Sequence, residues 1–122
     1  MAADRVMPVT PQRFEELVVE ALDALPAWVH DTMENVEVLI EDHPPPGQPT
    51  LLGLYHGIPL ASRGSGYTNV LPDTITLYRA TIVGVAGSDE ERLRRQVART
   101  VAHEIAHHFG ISDERLWELD AY

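Results

Sequence analysis

Two histidines and a glutamate stand close together late in the chain, in the string His103-Glu104-Ile105-Ala106-His107. If this string is helical, the two histidines lie one turn apart on the same face, with their Cβ atoms about 6 Å apart. That spacing lets both imidazoles bind one tetrahedral zinc ion at Zn–N distances of about 2.0–2.1 Å. The sequence therefore predicts His103 and His107 as metal ligands.

Glu104 lies on the neighbouring arc of the same helix. We expect its side chain to be too far round to be a natural ligand but close enough to touch a water molecule at the metal. A carboxylate in that place can accept a proton from water and later pass it to a leaving amine. Glu104 is therefore the predicted general base of a hydrolysis by zinc-activated water.

A third ligand is expected beyond the helix, because hydrolytic zinc sites usually take three protein ligands and leave one position open. Gly110 can turn the chain back, and Asp113 then follows three residues later. Asp113 is the candidate third ligand. Two alternatives stay open: Ser112 can cap a last helix in which Asp113 is an ordinary first-turn acid, and Glu118 on that helix can be the ligand instead.

The other histidines are weaker candidates for metal binding. His108 follows His107 directly but points about 100° away, among apolar side chains, so we interpret it as a packed residue or a support for the ligands. No partner at ligand spacing accompanies the remaining three, which are His30, His43 and His56. We expect these three at the surface or in turns.

The ligand string needs a helix, and the residues around it predict one. Ser88-Asp89-Glu90-Glu91 is a capping box, and Gly110 ends the helix after about Phe109. Apolar residues recur at every fourth position and predict a continuous buried stripe of Leu93, Val97, Val101, Ile105 and Phe109. Both ligand histidines fall beside this stripe, so the metal is expected where the core meets a cleft.

The remaining elements predict a second helical layer and a small sheet. A first helix is expected over residues 10–25, capped by Thr10, and a short helical turn over residues 27–33, with Trp28 packing inward. Residues 57–72, rich in glycine and proline, predict a surface loop. Strands are expected over residues 36–40, 51–55, 74–78 and 82–85.

Composition limits the class of protein. The 122 residues fit a single domain, 1–122, and the absence of cysteine leaves imidazole, carboxylate and water as the available metal ligands. A formal charge of −10, with nine arginines, no lysine and nineteen acids, disfavours nucleic acid and anionic membranes as partners. No apolar run approaches a membrane span, and the first residues lack the apolar core of a secretory signal, so we expect a cytoplasmic protein.

Residues 103–113 and the following Glu114-Arg115-Leu116 resemble the zincin-like minimal metallopeptidases of bacteria. The upstream string from Gly53 to Leu60 and the string from Leu71 to Leu77 are also similar to that family. The resemblance covers the second half of the chain and, in its layout, the first half. It implies an α+β fold with the motif helix packed on a small sheet. We therefore expect a small zincin-like domain in which the motif helix and the N-terminal helix pack on a short mixed β-sheet of about three strands.

The same resemblance implies a site as well as a fold. It implies that His103, His107 and Asp113 bind Zn²⁺ and that Glu104 is the catalytic base, and it supplies no substrate. The similar metzincin string ends in histidine where this chain has Asp113, and no methionine follows the motif to form the metzincin methionine turn.

These observations support a leading hypothesis and two alternatives. The leading one is a zinc metallopeptidase, a hydrolase that cleaves a peptide or protein substrate laid along an exposed sheet edge, for which residues 74–78 are the candidate. The candidate donors to the oxyanion are Tyr55, Tyr67, Tyr78 and Arg79. The alternatives are a catalytically inactive zinc-binding domain with a structural or partner-binding role, and an interaction protein without metal.

Overall fold

The computed structural model describes residues 9–33, 35–57, 72–87 and 89–111. The described elements, in chain order, are α1 (Pro11–Asp23), α2 (Ala27–Thr32), β1 (Val36–Glu41), β2 (Gly53–His56), β3 (Asp73–Tyr78), α3 (Arg79–Ala86) and α4 (Glu90–His108). The three strands form one sheet, and this confirms the predicted α+β class with a mixed sheet of three strands.

The strand at residues 74–78 was predicted to be an exposed edge, and this prediction is wrong. The strand order is β1-β3-β2, with β1 parallel and β2 antiparallel to β3. Strand β3 is therefore central, and its alternate residues Ile75 and Leu77 are fully buried. The alternation of apolar and polar residues in this strand predicts that one face is buried. Whether a strand is central or at the edge of a sheet depends instead on pairings with residues distant in sequence. Within the described residues, β1 and β2 are the edge strands.

Helix α1 forms as predicted, with slightly narrower bounds. The Thr10 hydroxyl accepts a hydrogen bond of 3.1 Å from the backbone N–H of Arg13, which satisfies one of the free donors of the first turn. The apolar face buries Phe14, Leu17 and Val18, and these side chains join the same core as Ile75 of β3.

Helix α2 confirms the predicted short helix but not the direction of Trp28. Trp28 is 63% exposed, while the next residue, Val29, is buried. The indole ring stacks instead on Phe109 at a centroid distance of 5.9 Å, so it covers the end of α4 from outside the core.

Residues 82–85 were predicted to be a strand and are part of helix α3. Ile82 and Ala86 are buried, whereas Val85 is 61% exposed. The buried positions are therefore four residues apart, which is a helical spacing that the β-branched composition of the segment concealed.

Helix α4 carries the predicted apolar stripe, of which four members are buried and the fifth, Phe109, is only partly buried. Its N-cap is Asp89, whose carboxylate accepts a hydrogen bond of 3.0 Å from the backbone N–H of Glu91. Ser88, the first residue of the predicted capping box, lies outside the described residues. The buried residues of the stripe are at most 4% exposed, and they pack on α1 and β3: Leu93, Val97, Val101 and Ile105.

No helix among the described residues combines the length and the apolar character needed to cross a lipid bilayer.

Candidate metal centre

Three side chains from the last two turns of α4 converge on one point. The rings of His103 and His107 lie with their centroids 4.6 Å apart. One ligand atom from each of His103, Glu104 and His107 falls within 4.8 Å of the other two. The i, i+4 spacing of the histidines thus produces the convergence that the sequence predicts.

Glu104 is the buried member of this group. The residue is 5% exposed, and its Oε1 lies 3.3 Å from Nδ1 of His107. The two histidine side chains are only partly buried. The carboxylate is therefore held at the inner side of the group, while the imidazoles reach toward the cleft.

A close approach between β2 and α4 holds the stem of Glu104. A Cβ atom on Gly53 would lie 3.1 Å from Cγ2 of Thr100 and 3.2 Å from Cγ of Glu104. The absence of a side chain at Gly53 lets strand and helix touch, so β2 forms a wall directly beside the three converging residues.

The donor set suits a zinc ion. Tetrahedral coordination at about 2.1 Å places ligand atoms about 3.4 Å apart, and small side-chain rotations bring atoms within 4.8 Å of one another to that spacing. Two neutral imidazoles and a carboxylate are ligands that zinc accepts, and the chain has no cysteine to compete. Here Glu104 is near enough either to ligate or to meet a water molecule at the ion.

Helix α4 ends in a turn at Gly110, the residue at which the third-ligand prediction places a turn. Gly110 has φ 92°, and the backbone N–H of Ile111 donates to the carbonyl of Ala106 at 2.9 Å. This bond belongs to a Schellman-type helix end, which satisfies terminal carbonyls. Asp113 and Glu118, the two candidates for the third ligand, lie outside the described residues and stay predictions.

The converging residues line a cleft of about 690 Å³. One wall is formed by residues 50–55, which include the first three residues of β2, and the other by α4. The α4 residues on the cleft are Gln96, Arg99, Thr100, His103, Glu104 and His107. The cleft therefore runs between a strand edge and the helix that carries the candidate ligands.

Two buried polar side chains join α4 to the sheet beside the cleft. His108 is 0% exposed and Asp73 is 2% exposed, and Nδ1 of His108 lies 3.0 Å from Oδ2 of Asp73. The Tyr55 hydroxyl donates to the same carboxylate oxygen at 2.6 Å. This confirms the interpretation of His108 as a packed residue. The group also joins the residue beside His107 to strands β2 and β3.

The structure describes three of the four candidate oxyanion donors. Tyr55 lines the cleft, but its hydroxyl is bonded to Asp73. Tyr78 is 5% exposed; burial is the main cause that raises its pKa, with smaller contributions from the carboxylates of Glu41 and Glu104.

Arg79 is directed elsewhere by two bonds. Its Nε donates to Asp42 at 2.9 Å and its Nη1 to the carbonyl of Val9 at 3.1 Å. Tyr67 lies outside the described residues. The histidines at positions 30, 43 and 56 are exposed and outside the converging group, as expected.

Three residues of the site were not singled out from the sequence. Asp73 is visible only as an acid directly before an alternating strand, and nothing in the string indicates that it is buried. Gly53 is a glycine at the start of a short strand, which is a weak signal for a close approach. Arg99 stands four residues before His103, a helical spacing that places it on the same face.

Comparison with known proteins agrees with this geometry. Residues 33–122 match the family model described as zincin-like metallopeptidase. A solved structure, a conserved hypothetical protein from Thermus thermophilus, is similar with a TM-score of 0.59 and 29% sequence identity, covering 83% of this chain and 94% of that chain. No curated protein matches significantly. Since the family model spans well over half of the chain, this protein belongs to the zincin-like metallopeptidase family.

Proposed function

We propose that this protein is a zinc-dependent peptidase that hydrolyses peptide bonds in the cleft between β2 and α4. The observation that carries the proposal is the convergence of His103, Glu104 and His107 within 4.8 Å on the wall of a cleft. Family membership supports the same reaction class.

His103 and His107 would hold the metal through their imidazole nitrogens, and Asp113 is the proposed third ligand. Zinc bound there would supply Lewis acidity, polarising a carbonyl and lowering the pKa of water to about 7. Both imidazoles line the cleft, so a substrate would reach the metal from the cleft.

Glu104 is the proposed general base. Its carboxylate is buried beside the histidines, so it can accept a proton from a water molecule in the cleft without competing solvent. The same group can then give the proton to the leaving amine. Its stem lies where a side chain on Gly53 would otherwise stand, so the glycine makes room for this orientation.

Strand β2 is the proposed support for the substrate backbone. It pairs with β3 along one edge, and among the described residues no strand pairs with its other edge. An extended peptide can add to such an edge through main-chain hydrogen bonds and pass over the ligand histidines. The peptide would run antiparallel to β2, since antiparallel pairing is slightly the more stable per residue.

The test is cleavage of a defined peptide library by zinc-loaded wild type and by Glu104→Gln. We expect wild type to cleave and Glu104→Gln to lose at least about a hundredfold in rate, in keeping with the loss of a general base, while it retains zinc. Glu37→Gln, which changes an exposed carboxylate on β1 in the same way, is the matched control and should cleave like wild type.

Equal cleavage by wild type and Glu104→Gln would contradict the proposed mechanism, because the loss of the general base would then have no effect on the rate. Zinc binding without cleavage of any peptide would instead favour a zinc domain with a structural or partner-binding role. Removal of zinc by a chelator then tests for a structural role, because the loss of a structural ion should lower the melting temperature greatly.

A further inference from the structure

Three arginines precede His103 along one face of α4. Arg92 and Arg99 are seven residues apart, and Arg95 lies four residues before Arg99. At about 100° per residue these positions fall within about 60° of one another around the helix. Arg92, Arg95 and Arg99 share the lining of a surface depression, and Arg99 also lines the cleft beside His103. We call these three residues the arginine row.

The arginine row is poorly neutralised for so acidic a protein. Arg13, Arg79 and Arg94 each form ion pairs of 2.9 Å or less with acidic side chains. In the described part of the chain, no ion pair joins Arg92 or Arg99 to an acid. The chain carries nineteen acids and a formal charge of −10, so acidic partners are abundant.

Arg95, the third residue of the arginine row, forms only a long ion pair. Arg95 reaches Glu91 only at 4.0 Å, and both side chains are well exposed. An exposed pair of this length contributes little. Among the residues that the structure describes, no acid therefore lies closer than 4.0 Å to any of these three guanidinium groups to compete with an external anion.

The packing of β2 on α4 fixes which end of a bound peptide reaches the arginine row. Gly53, at the start of β2, lies against Thr100 and Glu104, whereas Tyr55, two residues later, lies against His108 with ring centroids 5.8 Å apart. Strand and helix therefore run in the same direction. A peptide antiparallel to β2 runs the opposite way, so residues on the C-terminal side of its cleavage point extend toward Arg99.

We propose that the cleft selects peptides with acidic side chains on the C-terminal side of the scissile bond, and that Arg99 is the main specificity-determining residue. This inference rests on the proposed function of the cleft as a peptide-binding site. Guanidinium groups bind carboxylates through paired, charge-assisted hydrogen bonds, which suits this choice of ligand.

Helical geometry gives the order of the contacts. The metal would lie level with the middle of the His103–His107 turn, and Arg99 is about 9 Å along the axis from that point, Arg95 about 15 Å and Arg92 about 20 Å, at about 1.5 Å per residue. An extended peptide advances about 3.3 Å per residue. An acid about three residues beyond the cleavage point therefore meets Arg99, and acids about five to six residues beyond meet Arg95 and Arg92.

The test measures binding rather than turnover, so that it does not depend on catalysis. Zinc-loaded Glu104→Gln is titrated with three fluorescent peptides that differ at two positions, one on each side of the scissile bond. The first peptide has Glu at the position on the C-terminal side and Gln at the other, the second has the reverse arrangement, and the third has Gln at both positions. We expect the peptide with C-terminal-side Glu to bind about tenfold more tightly than the other two.

Variants of α4 then assign the preference. In the Glu104→Gln protein, a second substitution Arg99→Gln should remove the preference for the peptide with C-terminal-side Glu. Arg99→Glu should reverse the preference in favour of a peptide with Lys in place of that Glu. Arg94→Gln is the matched control: it removes the same charge from the same helix, but its side chain pairs with Glu20 of α1 and does not line the cleft. The control should keep the tenfold preference.

Several results would overturn the inference. They are equal binding of the three peptides, no binding of any of them, a preference for N-terminal-side Glu, and an equal loss in Arg99→Gln and Arg94→Gln. Failure of the proposed function looks different. If the Arg99-dependent preference is found but wild type cleaves none of these peptides, hydrolysis is wrong and recognition of acidic peptides stands.

Discussion

Nδ1 of His108 lies 3.0 Å from the carboxylate of Asp73, with both residues sealed from solvent. This contact ties the residue next to the candidate ligand His107 to the first residue of the central strand. The hydroxyl of Tyr55 meets the same carboxylate, so one buried acid connects α4, β2 and β3. The two walls of the cleft are thereby fixed relative to each other.

The first prediction concerns the stability of this connection. Asp73→Ala removes the carboxylate and leaves buried polar partners without it, which typically costs about 2–4 kcal/mol. The free energy of unfolding in urea measures the loss. The surface control is Asp42→Ala, which breaks an exposed ion pair with Arg79 and should cost about 1 kcal/mol or less. Similar losses in both variants would show that the buried group does not hold the walls together.

The second prediction compares two identical substitutions at different glycines. In Gly53→Ala the new methyl group meets Thr100, Glu104 and the backbone carbonyl of Thr76 at 3.1–3.2 Å, and the carbonyl cannot move aside. We expect a loss of about 1–3 kcal/mol from this overpacking. In Gly84→Ala the methyl group meets no atom within 4 Å and lies inside α3, so stability should rise by about 0.5–1 kcal/mol. Urea denaturation of both variants checks the opposite signs.

These predictions also show what the sequence could and could not specify. The convergence of His103, Glu104 and His107 and the buried stripe of α4 were predictable, because helical periodicity is local and strong. The burial of Asp73 was not predictable from the sequence, because it results from the approach of Tyr55 and His108, which belong to other elements. The wrong assignment of β3 as an edge has the same cause, since alternation reports burial of a face and not the number of neighbouring strands.

Two local errors had different physical reasons. Residues 82–85 are rich in β-branched side chains, which favour strands, but the short link between β3 and α4 is helical and buries Ile82 and Ala86. Trp28 was expected to pack inward. It lies instead on the outside of Phe109, an arrangement that depends on how α2 meets the end of α4.

The third prediction concerns the pH dependence of folding. Arg13 of α1 hydrogen-bonds to Glu90 of α4 and is the main cause that lowers the pKa of that carboxyl below its ordinary value of 4.5. A lowered pKa in the folded state means that this pair stabilises the fold above the unfolded pKa. The contribution is lost as the pH falls through the folded pKa.

Glu90→Gln removes this titration. In metal-free protein, the stability of wild type should therefore fall more steeply than that of Glu90→Gln as the pH is lowered through the carboxylate range. Thermal unfolding at a series of pH values measures the two slopes. Parallel curves would contradict an ion-pair contribution, and high salt should bring the curves together, since the pair is exposed.

Zinc content tests the central claim most directly. Elemental analysis of protein purified with zinc should give about one zinc per chain for wild type and for Glu104→Gln, as expected for a site built on two imidazoles and one further ligand. The same analysis should give almost none for His103→Ala and for His107→Ala, with folding of each variant checked by circular dichroism. A wild-type protein without zinc, or folded histidine variants that keep it, would contradict the account.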